Sequence, residues 1–329
     1  MSQACYLHAL SAVVPSQVVT NDDIARVIDT SDEWIATRTG IRARYKLGAD
    51  ENLSDLALDA ARQCLEKAGC DAASVTHVLV GTCTPEALTP SVACMVAGRL
   101  GCGPVMAFDY NAACTGFIYG LELCRALVQT QPDANILCIT AEALTRRLNW
   151  QDRSTCVLFG DAACACLANG TAANSMVRVA DCICQSDGSL ADLIVIGGGT
   201  GSQYAVGDTV NADFFLAMNG RETYKHAVRA LAQVSQDIVS RNGLRMEDVA
   251  LCVPHQANLR IIEAVGQRLE LGERVFVNIA KYGNTSAASI PLALAEAHDA
   301  GALPVNGHVL TMAFGAGLTW GAALLTTQG

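Results

Sequence analysis

Hydrophobic and polar positions follow two alternating patterns along the chain. Apolar residues recur at helical spacing over 56–68 and 226–239, and each of these segments leads through a glycine-containing link to a short apolar run, at 77–80 and 250–253. The first pattern predicts amphipathic helices and the second predicts buried strands. Helices that alternate with fully apolar strands predict mostly parallel sheets covered by helices.

The order of these elements is the same in both halves of the chain. In each half a further helix, over 92–100 or 259–269, follows the apolar strand, and a glycine follows the helix. Self-similarity at half the chain length predicts two halves related by a pseudo-twofold axis. We place the halves at residues 1–172 and 173–329, and we expect an α/β fold with five layers, α/β/α/β/α.

The next strand of each half leads to a residue that can do chemistry. A strand from Val105 leads to Cys114, and a strand from Val275 leads to Asn284, nine residues on in both cases. We therefore predict that Cys114 and Asn284 occupy equivalent positions. His255 follows the strand at 250–253, and ligands of such sheets bind beyond the carboxyl ends of the strands. The three side chains are expected at one site.

Composition removes several classes of function. The 329 residues are 51% hydrophobic and 16% charged, which is enough to bury a large core, and the formal net charge of −10 argues against nucleic acid as a partner. The N-terminus has no basic region and polar residues interrupt every apolar run, so we expect no targeting segment and no contact with a membrane.

The cysteines indicate a reducing compartment. There are 15 of them, an odd number, scattered through apolar segments, which favours free thiols and a cytoplasmic protein. The pairs Cys164/Cys166 and Cys182/Cys184 have the wrong spacing for the common zinc sites. We expect no metal.

Cys114 is the first candidate for catalysis. An apolar strand gives way at this residue to an apolar segment at helical spacing, so the thiol is predicted to lie at a helix N-terminus. Free N–H groups and the helix dipole stabilise a thiolate there. The glycine-rich segment 312–321 could bring further N–H donors to a carbonyl oxygen. Taken alone, His255 would be a structural histidine and Asn284 a turn residue.

Together, three segments resemble β-ketoacyl-acyl-carrier-protein synthase III, a family of condensing enzymes with the thiolase fold. They are residues 111–117, 253–262 and 283–289, and the resemblance extends to 29–42, 152–153, 159–161 and 314–321. It therefore covers essentially the whole chain.

The resemblance implies a reaction that starts fatty acid synthesis. An acyl group would pass from coenzyme A to Cys114 and then condense with malonyl-acyl-carrier protein, which loses carbon dioxide. By the same resemblance, the backbone N–H groups of Cys114 and Ala316 form the oxyanion hole, and His255 and Asn284 stabilise the enolate. No cofactor is implied, because acyl-CoA is a substrate.

The resemblance also implies substrate contacts and a homodimer. Coenzyme A would be held by Trp34, Arg38, Arg153 and Asn258. The acyl-carrier protein would dock on a basic patch of Arg260, Lys225 and Arg268. Thr89 corresponds to a position in the acyl pocket, contributed by the partner subunit, where members that use very short primers often carry Phe. The smaller Thr89 predicts room for a longer primer.

Four other interpretations compete with this one. A cysteine hydrolase also uses Cys, His and Asn in this order, although its cysteine is not expected in a duplicated fold. A degradative thiolase needs a second cysteine in the C-terminal glycine loop, and 314–317 has none. A related synthase of secondary metabolism, with a longer or aromatic primer, would share every catalytic residue. A scaffold without activity is disfavoured because Cys114, His255 and Asn284 are all present.

Overall fold

The computed structural model describes residues 3–198 and 214–328 of the chain. Its strands are β1 (Cys5–Val13), β2 (Gln17–Thr20), β3 (Ala43–Lys46), β4 (His77–Gly81), β5 (Met106–Tyr110), β6 (Asn135–Glu142), β7 (Ala162–Asn169), β8 (Val177–Ser186), β9 (Ile194–Ile196), β10 (Leu216–Met218), β11 (Val249–Pro254), β12 (His308–Gly315) and β13 (Thr319–Thr327). Its α-helices are α1 (Asn21–Ala25), α2 (Asp32–Thr39), α3 (Leu53–Ala68), α4 (Val92–Leu100), α5 (Gly116–Thr130), α6 (Gly220–Arg241), α7 (Leu259–Arg268), α8 (Ile279–Tyr282) and α9 (Ser289–Asp299). The helices and apolar strands named from the sequence all form, with ends that differ by a few residues.

Nine strands form one sheet in the order β11-β12-β13-β8-β1-β7-β6-β4-β5. The expectation of mostly parallel pairing is wrong, because five of its eight strand pairs are antiparallel. A tight reversal joins β12 to β13, and the other four antiparallel pairs join strands that are farther apart in the chain. A fully apolar strand indicates burial on both faces, and it carries no information about direction.

The strand pairings show the duplication directly. β7 lies between β1 and β6 with antiparallel pairing on both sides, and β13 lies between β8 and β12 in the same way. Beyond them β6 pairs parallel with β4, as β12 does with β11. A short ladder between β1 and β8 joins the two portions of the sheet. The predicted division at 172/173 falls between β7 and β8 and stays a prediction.

Helices cover the faces of both portions. α5 and α9 pack between the two portions, α3 and α4 cover the outer face of the first, and α6 and α7 cover the outer face of the second. The apolar faces of these helices and strands form the main buried clusters. This is the five-layer arrangement expected from the sequence. Among the helices of residues 3–198 and 214–328, none is long and apolar enough to cross a membrane.

The predicted strand from Val275 to Asn284 is wrong. Val275 makes only a single bridge, to Cys252, and the chain then turns into α8. The side-chain oxygen of Gln256 accepts hydrogen bonds from the backbone N–H groups of Asn278, at 3.0 Å, and Ile279, at 3.2 Å. A buried glutamine therefore accepts the free N–H groups at the start of α8. At the corresponding place the first half of the chain has the continuous strand β5.

Candidate active site

Cys114 lies in a 3₁₀ turn, residues 113–115, immediately before α5. The turn is held by Asn111, whose Oδ1 accepts the N–H of Ala113 at 3.1 Å, and Ala113 has a φ of +46°. A non-glycine residue with positive φ is strained and persists only where its surroundings hold it. The prediction of a thiol at a helix N-terminus is confirmed.

The C-terminal half contains the same turn before α9, at residues 286–288. Here the Oδ1 of Asn284 accepts the N–H of Ser286 at 2.9 Å, and Ser286 has a φ of +50°. Asn284 therefore matches Asn111, and the expected equivalence of Asn284 with Cys114 is wrong by three residues. The prediction counted nine residues from Val105 and from Val275. The count gave the wrong match because only the first half has a strand in this segment.

One cavity of about 640 Å³ brings most of the predicted site residues together. Its lining includes nine of them: Trp34, Arg38, Cys114, Arg153, His255, Asn258, Arg260, Asn284 and Ala316. Thr89, Lys225 and Arg268 are exposed and do not line it. The side chains expected at the strand ends therefore share a site, as predicted.

Two effects on the Cys114 thiol oppose each other. Burial raises its pKa to about 11, and a hydrogen bond with Ser286 works to lower it. The N-terminus of α5 also favours the thiolate. Since the raised pKa leaves the resting sulfur protonated at neutral pH, the reaction must remove a proton from this thiol.

His255 is buried and neutral. It follows the last residue of β11, and burial lowers its pKa to about 4. Its Nδ1 lies 2.9 Å from the hydroxyl of Ser289, which accepts the N–H of Gln256 at 2.7 Å. Its Nε2 is buried and, within the described residues, has no hydrogen-bond partner. A polar ring atom left free in a cavity is available to a ligand.

The glycine loop after β12 is tied to the nucleophile turn. The Thr319 hydroxyl lies 3.2 Å from the carbonyl of Ala112 and 3.0 Å from that of Ala316. Gly315 packs so closely that a Cβ there would lie 2.8 Å from the backbone nitrogen of Cys114. These contacts place Ala316 beside Cys114, where an oxyanion hole needs its donors.

Sequence reasoning missed a buried carboxylate at this site. Glu142 ends β6 and is 0% exposed, and its oxygens accept hydrogen bonds from the hydroxyls of Thr84, at 2.6 Å, and Ser286, at 3.1 Å, and from the N–H of Cys83, at 3.2 Å. Burial raises the pKa of Glu142 to about 7. An acidic residue directly after the apolar run 136–141, at a strand end, was the available signal.

The mouth of the cavity carries an aromatic ring between two cations. The guanidinium groups of Arg38 and Arg153 each lie 4.5 Å from the centre of the Trp34 ring. Arg153 also donates to the carbonyl of Asp29 at 2.9 Å. Asn258 caps α7 by accepting the N–H of Arg260 at 3.0 Å.

The three residues of the predicted basic patch lie on α6 and α7, which pack together. Arg260 donates to the carbonyl of Thr37 at 3.2 Å, and Lys225 forms an ion pair with Glu222 at 2.7 Å. Arg268 lies in the last turn of α7 and is exposed. Only Arg260 reaches the cavity.

Comparison with known proteins decides the family. The chain matches the family profile described as 3-oxoacyl-[acyl-carrier-protein (ACP)] synthase III over residues 108–188, and the profile of its C-terminal part over residues 239–327. It is 54% identical over 323 residues to the β-ketoacyl-[acyl-carrier-protein] synthase III of Nitratidesulfovibrio vulgaris (strain DSM 19637 / Miyazaki F), which covers 98% of this chain and 97% of that protein. This chain belongs to the β-ketoacyl-[acyl-carrier-protein] synthase III family.

Solved structures agree with this placement. The β-ketoacyl-[acyl-carrier-protein] synthase III of Thermus thermophilus is 43% identical, with a TM-score of 0.89 over 97% of this chain and 98% of that one. The priming β-ketosynthase of the R1128 polyketide pathway is 31% identical, with a TM-score of 0.91 over 99% of this chain and 97% of that one. The thiolase-like fold and the class of enzyme, an acyltransferase that acts as a condensing enzyme, are confirmed.

Proposed function

We propose that this chain condenses an acyl-CoA primer with malonyl-acyl-carrier protein, with loss of carbon dioxide, and so starts fatty acid synthesis. The observation that carries the proposal is the meeting of Cys114, His255 and Asn284 in one cavity, with the thiol at the start of α5. The resemblance noted in the sequence assigns these three residues to catalysis. We propose no cofactor, because acyl-CoA is a substrate.

Acyl loading uses the Cys114 side of the cavity. The sulfur attacks the thioester carbonyl, and the negative charge that develops on the carbonyl oxygen needs N–H donors. We assign the backbone N–H groups of Cys114 and Ala316 to this role, because Thr319 and Gly315 hold the glycine loop against the nucleophile turn. The product is an acyl-Cys114 thioester and free coenzyme A.

Condensation uses the other side. Loss of carbon dioxide from malonyl leaves an enolate, and donors that are already in place can stabilise its charge. Ser289 accepts from Gln256 and so has its own proton available for Nδ1 of His255, which leaves the ring proton on Nε2. The backbone N–H of Ser286 donates to Oδ1 of Asn284, which leaves the NH₂ group of this side chain as a donor.

We assign the mouth of the cavity to coenzyme A. The Trp34 ring offers an apolar face, and Arg38 and Arg153 beside it provide positive charge for phosphate groups. Asn258 lines the same cavity, and we assign it to the pantetheine arm. The basic residues Arg260, Lys225 and Arg268 are proposed to receive the acidic carrier protein on an enzyme that is itself acidic.

We further propose a cytoplasmic homodimer. All 15 cysteines lie in the described residues and are unpaired, as in proteins of a reducing compartment. Leu88 is 88% exposed and adjoins the exposed Thr89, which suits a surface that a second copy covers. Light scattering of the purified protein tests the dimer, and a monomer at micromolar concentration would contradict it.

A second candidate is a priming synthase of secondary metabolism. The 31% identity to a priming β-ketosynthase of a polyketide pathway favours it, and both candidates share the same three residues. The small Thr89 supports a primer longer than acetyl in either case. The choice between them depends on which acyl group is loaded.

Mass spectrometry of the intact protein tests both candidates. The protein is mixed with acyl-CoAs of increasing chain length, and then with malonyl-acyl-carrier protein. We expect an acyl adduct on Cys114, followed by release of carbon dioxide and a 3-oxoacyl product. Hydrolysis of the thioester without formation of a carbon–carbon bond would refute the proposed function. Preference for an aromatic or long primer would favour the second candidate.

A further inference from the structure

The steps above give no role to Glu142, a fully buried carboxylate beside the cavity. Glu142 lies at the end of β6, between β4 and β7 in the sheet, and it adjoins the cavity through Cys83 and Ser286, which line it. Within the described part of the chain no cation forms an ion pair with this carboxylate. Burial of a carboxylate without a partner cation is costly, so its presence here calls for a reason.

Ser286 connects Glu142 to the nucleophile. Its hydroxyl donates to Oε1 of Glu142 at 3.1 Å, and its turn packs against the Cys114 turn at the wall of the same cavity. The Ser286 side chain also works to lower the pKa of the Cys114 thiol. The backbone of Ser286 is held by Asn284, whose Oδ1 accepts the Ser286 N–H at 2.9 Å. A hydroxyl that contacts a proton donor on one side and a proton acceptor on the other can pass a proton between them.

Such a transfer avoids a second negative charge in the buried site. An ionised Glu142 raises the pKa of the Cys114 thiol, because two negative charges in one buried site repel each other. If the thiol proton moves to Glu142, the site keeps a single negative charge throughout. That charge moves from a buried carboxylate to the N-terminus of α5, where the helix dipole stabilises it.

We propose that Glu142 is a positioning residue that accepts the Cys114 proton through the Ser286 hydroxyl during acyl loading. The thiol proton passes to the Ser286 oxygen as the hydroxyl proton passes to Glu142, and the sulfur attacks the thioester carbonyl. When the carbon–sulfur bond to coenzyme A breaks, Glu142 returns this proton through Ser286 to the departing sulfur, so coenzyme A leaves as the thiol and Glu142 is ionised again. The inference rests on the proposed acyl loading.

Two thiols face Glu142. Cys114 lies across Ser286, and the Cys83 sulfur lies 3.4 Å from both carboxylate oxygens. Burial raises the pKa of Cys83 well above its usual range, so this thiol stays protonated and donates to Glu142. His255 lines the same cavity and stays neutral because burial lowers its pKa to about 4. Glu142 is therefore the group in this cluster that changes charge near neutral pH.

Glu142→Gln tests the inference, because the amide keeps the shape and cannot accept the proton. The rate of acyl loading is measured by rapid quenching at several pH values. For the unsubstituted protein we expect the rate to rise with pH and level off above about 7, where Glu142 is ionised. For the variant we expect a rate lower by about 10²-fold and no such levelling. An unchanged rate and pH profile would overturn the inference.

A second measurement separates proton transfer from mere support of the fold. The acyl-enzyme of the variant, formed by long incubation, is mixed with malonyl-acyl-carrier protein, and we expect condensation close to that of the unsubstituted protein. Equal losses in both half-reactions would mean that Glu142 only supports the site, which also overturns the inference. Ser286→Ala should reproduce the loss in loading, and the double variant should lose no more than either single variant.

Alkylation by iodoacetamide tests the thiol without any acyl-CoA. Peptide mass spectrometry follows Cys114, with the exposed Cys94 as an internal control. We expect alkylation of Cys114 to level off above about pH 7 in the unsubstituted protein and to keep rising with pH in Glu142→Gln, while alkylation of Cys94 stays unchanged. Asp109→Asn is the matched control, because Asp109 is a partly buried carboxylate on β5 whose oxygens accept the N–H groups of Val92 and Ala93 at the start of α4. If alkylation of Cys114 changes in Glu142→Gln and no protein, substituted or not, loads an acyl group, the proposed function fails. The proton path from Cys114 to Glu142 would then still stand.

Discussion

The turn before α5 and the turn before α9 share their backbone and differ in the side chains they present. Each begins with an asparagine whose Oδ1 accepts the N–H two residues on, and each continues through a residue with a φ of +46° or +50°. In the first turn the next residue is Cys114, and in the second it is Ala287. The asparagine to which we assign a catalytic role is Asn284, which lies three positions before Ala287, the residue that matches the nucleophile.

The residues that end the strands beside the two turns also differ. Gly315, at the end of β12, leaves room for Cys114, whereas Glu142, at the end of β6, fills the space beside Ser286. A duplicated fold thus supplies two similar positions, and single side chains divide the reaction between them. The predictions below test this division, beginning with the largest expected effect.

Replacement of the nucleophile has the largest effect. Cys114→Ser should lower acyl loading by about 10⁴-fold or more, because a serine hydroxyl in this site is a far weaker nucleophile than the thiol. Intact-protein mass spectrometry measures the adduct. Cys94→Ser, at an exposed cysteine of α4, is the control and should load normally. An adduct of full yield on the Cys114 variant would place the nucleophile elsewhere.

The two asparagines should differ although they hold the same kind of turn. Asn284→Ala should permit acyl loading and lower condensation by roughly 10²- to 10³-fold, the usual effect of losing one donor to a developing negative charge. Asn111→Ala removes the matching turn hydrogen bond and should cost about tenfold or less in condensation. The two half-reactions are measured separately. Equal losses for both variants would reduce Asn284 to a turn residue.

Gly315 should tolerate no side chain. A Cβ at this position would lie 2.8 Å from the backbone nitrogen of Cys114 and 3.1 Å from its Cβ. Gly315→Ala should therefore shift the nucleophile and lower acyl loading by about 10²-fold. Gly98→Ala is the matched control, since a Cβ there meets no atom within 4 Å in α4, and it should leave loading intact. Normal loading by the Gly315 variant would contradict the close packing.

Glu142 should make stability depend on pH. Its pKa of about 7 in the folded protein lies above the ordinary value of 4.5, so the fold favours the protonated carboxyl. The stability that this form gives is fully present below pH 4.5 and is lost as the pH rises through 7. Glu142→Gln should therefore gain up to about 3 kcal/mol in free energy of unfolding at alkaline pH, and less at acidic pH. Urea unfolding at both pH values measures the difference. A gain that does not change with pH would contradict the assigned shift.

The smallest effects concern the strained residues. Ala113→Gly and Ser286→Gly both relieve a positive φ, at the cost of a more flexible unfolded chain, so Ala113→Gly should change stability by no more than about 1 kcal/mol. Ser286→Gly also loses the hydrogen bond to Glu142 and should be less stable than Ala113→Gly by about 1 kcal/mol. Thermal unfolding compares the two. Equal stabilities would mean that this hydroxyl contributes nothing to the fold.

Local pattern was sufficient for some features and misleading for others. The helix after Cys114 follows from its apolar spacing, and His255 follows a strand that ends in Pro254, so both were predictable. The apolar residues after Val275 looked like a strand, because nothing local shows that Gln256 caps α8 instead. That single error moved the predicted match of Cys114 from Ala287 to Asn284.

The sequence by itself determined the repeated order of helices and strands, the turn that precedes α5 or α9 in each half, and the residue types available at the strand ends. These depend on spacing, and spacing is local. Only the tertiary structure decided which side chains meet: Ser286 contacts Glu142 across 144 residues, and Ser289 contacts His255 across 34. Such contacts arise when the fold brings distant segments together. They decide the charge of Glu142, which nitrogen of His255 carries the proton, and how much space surrounds Cys114.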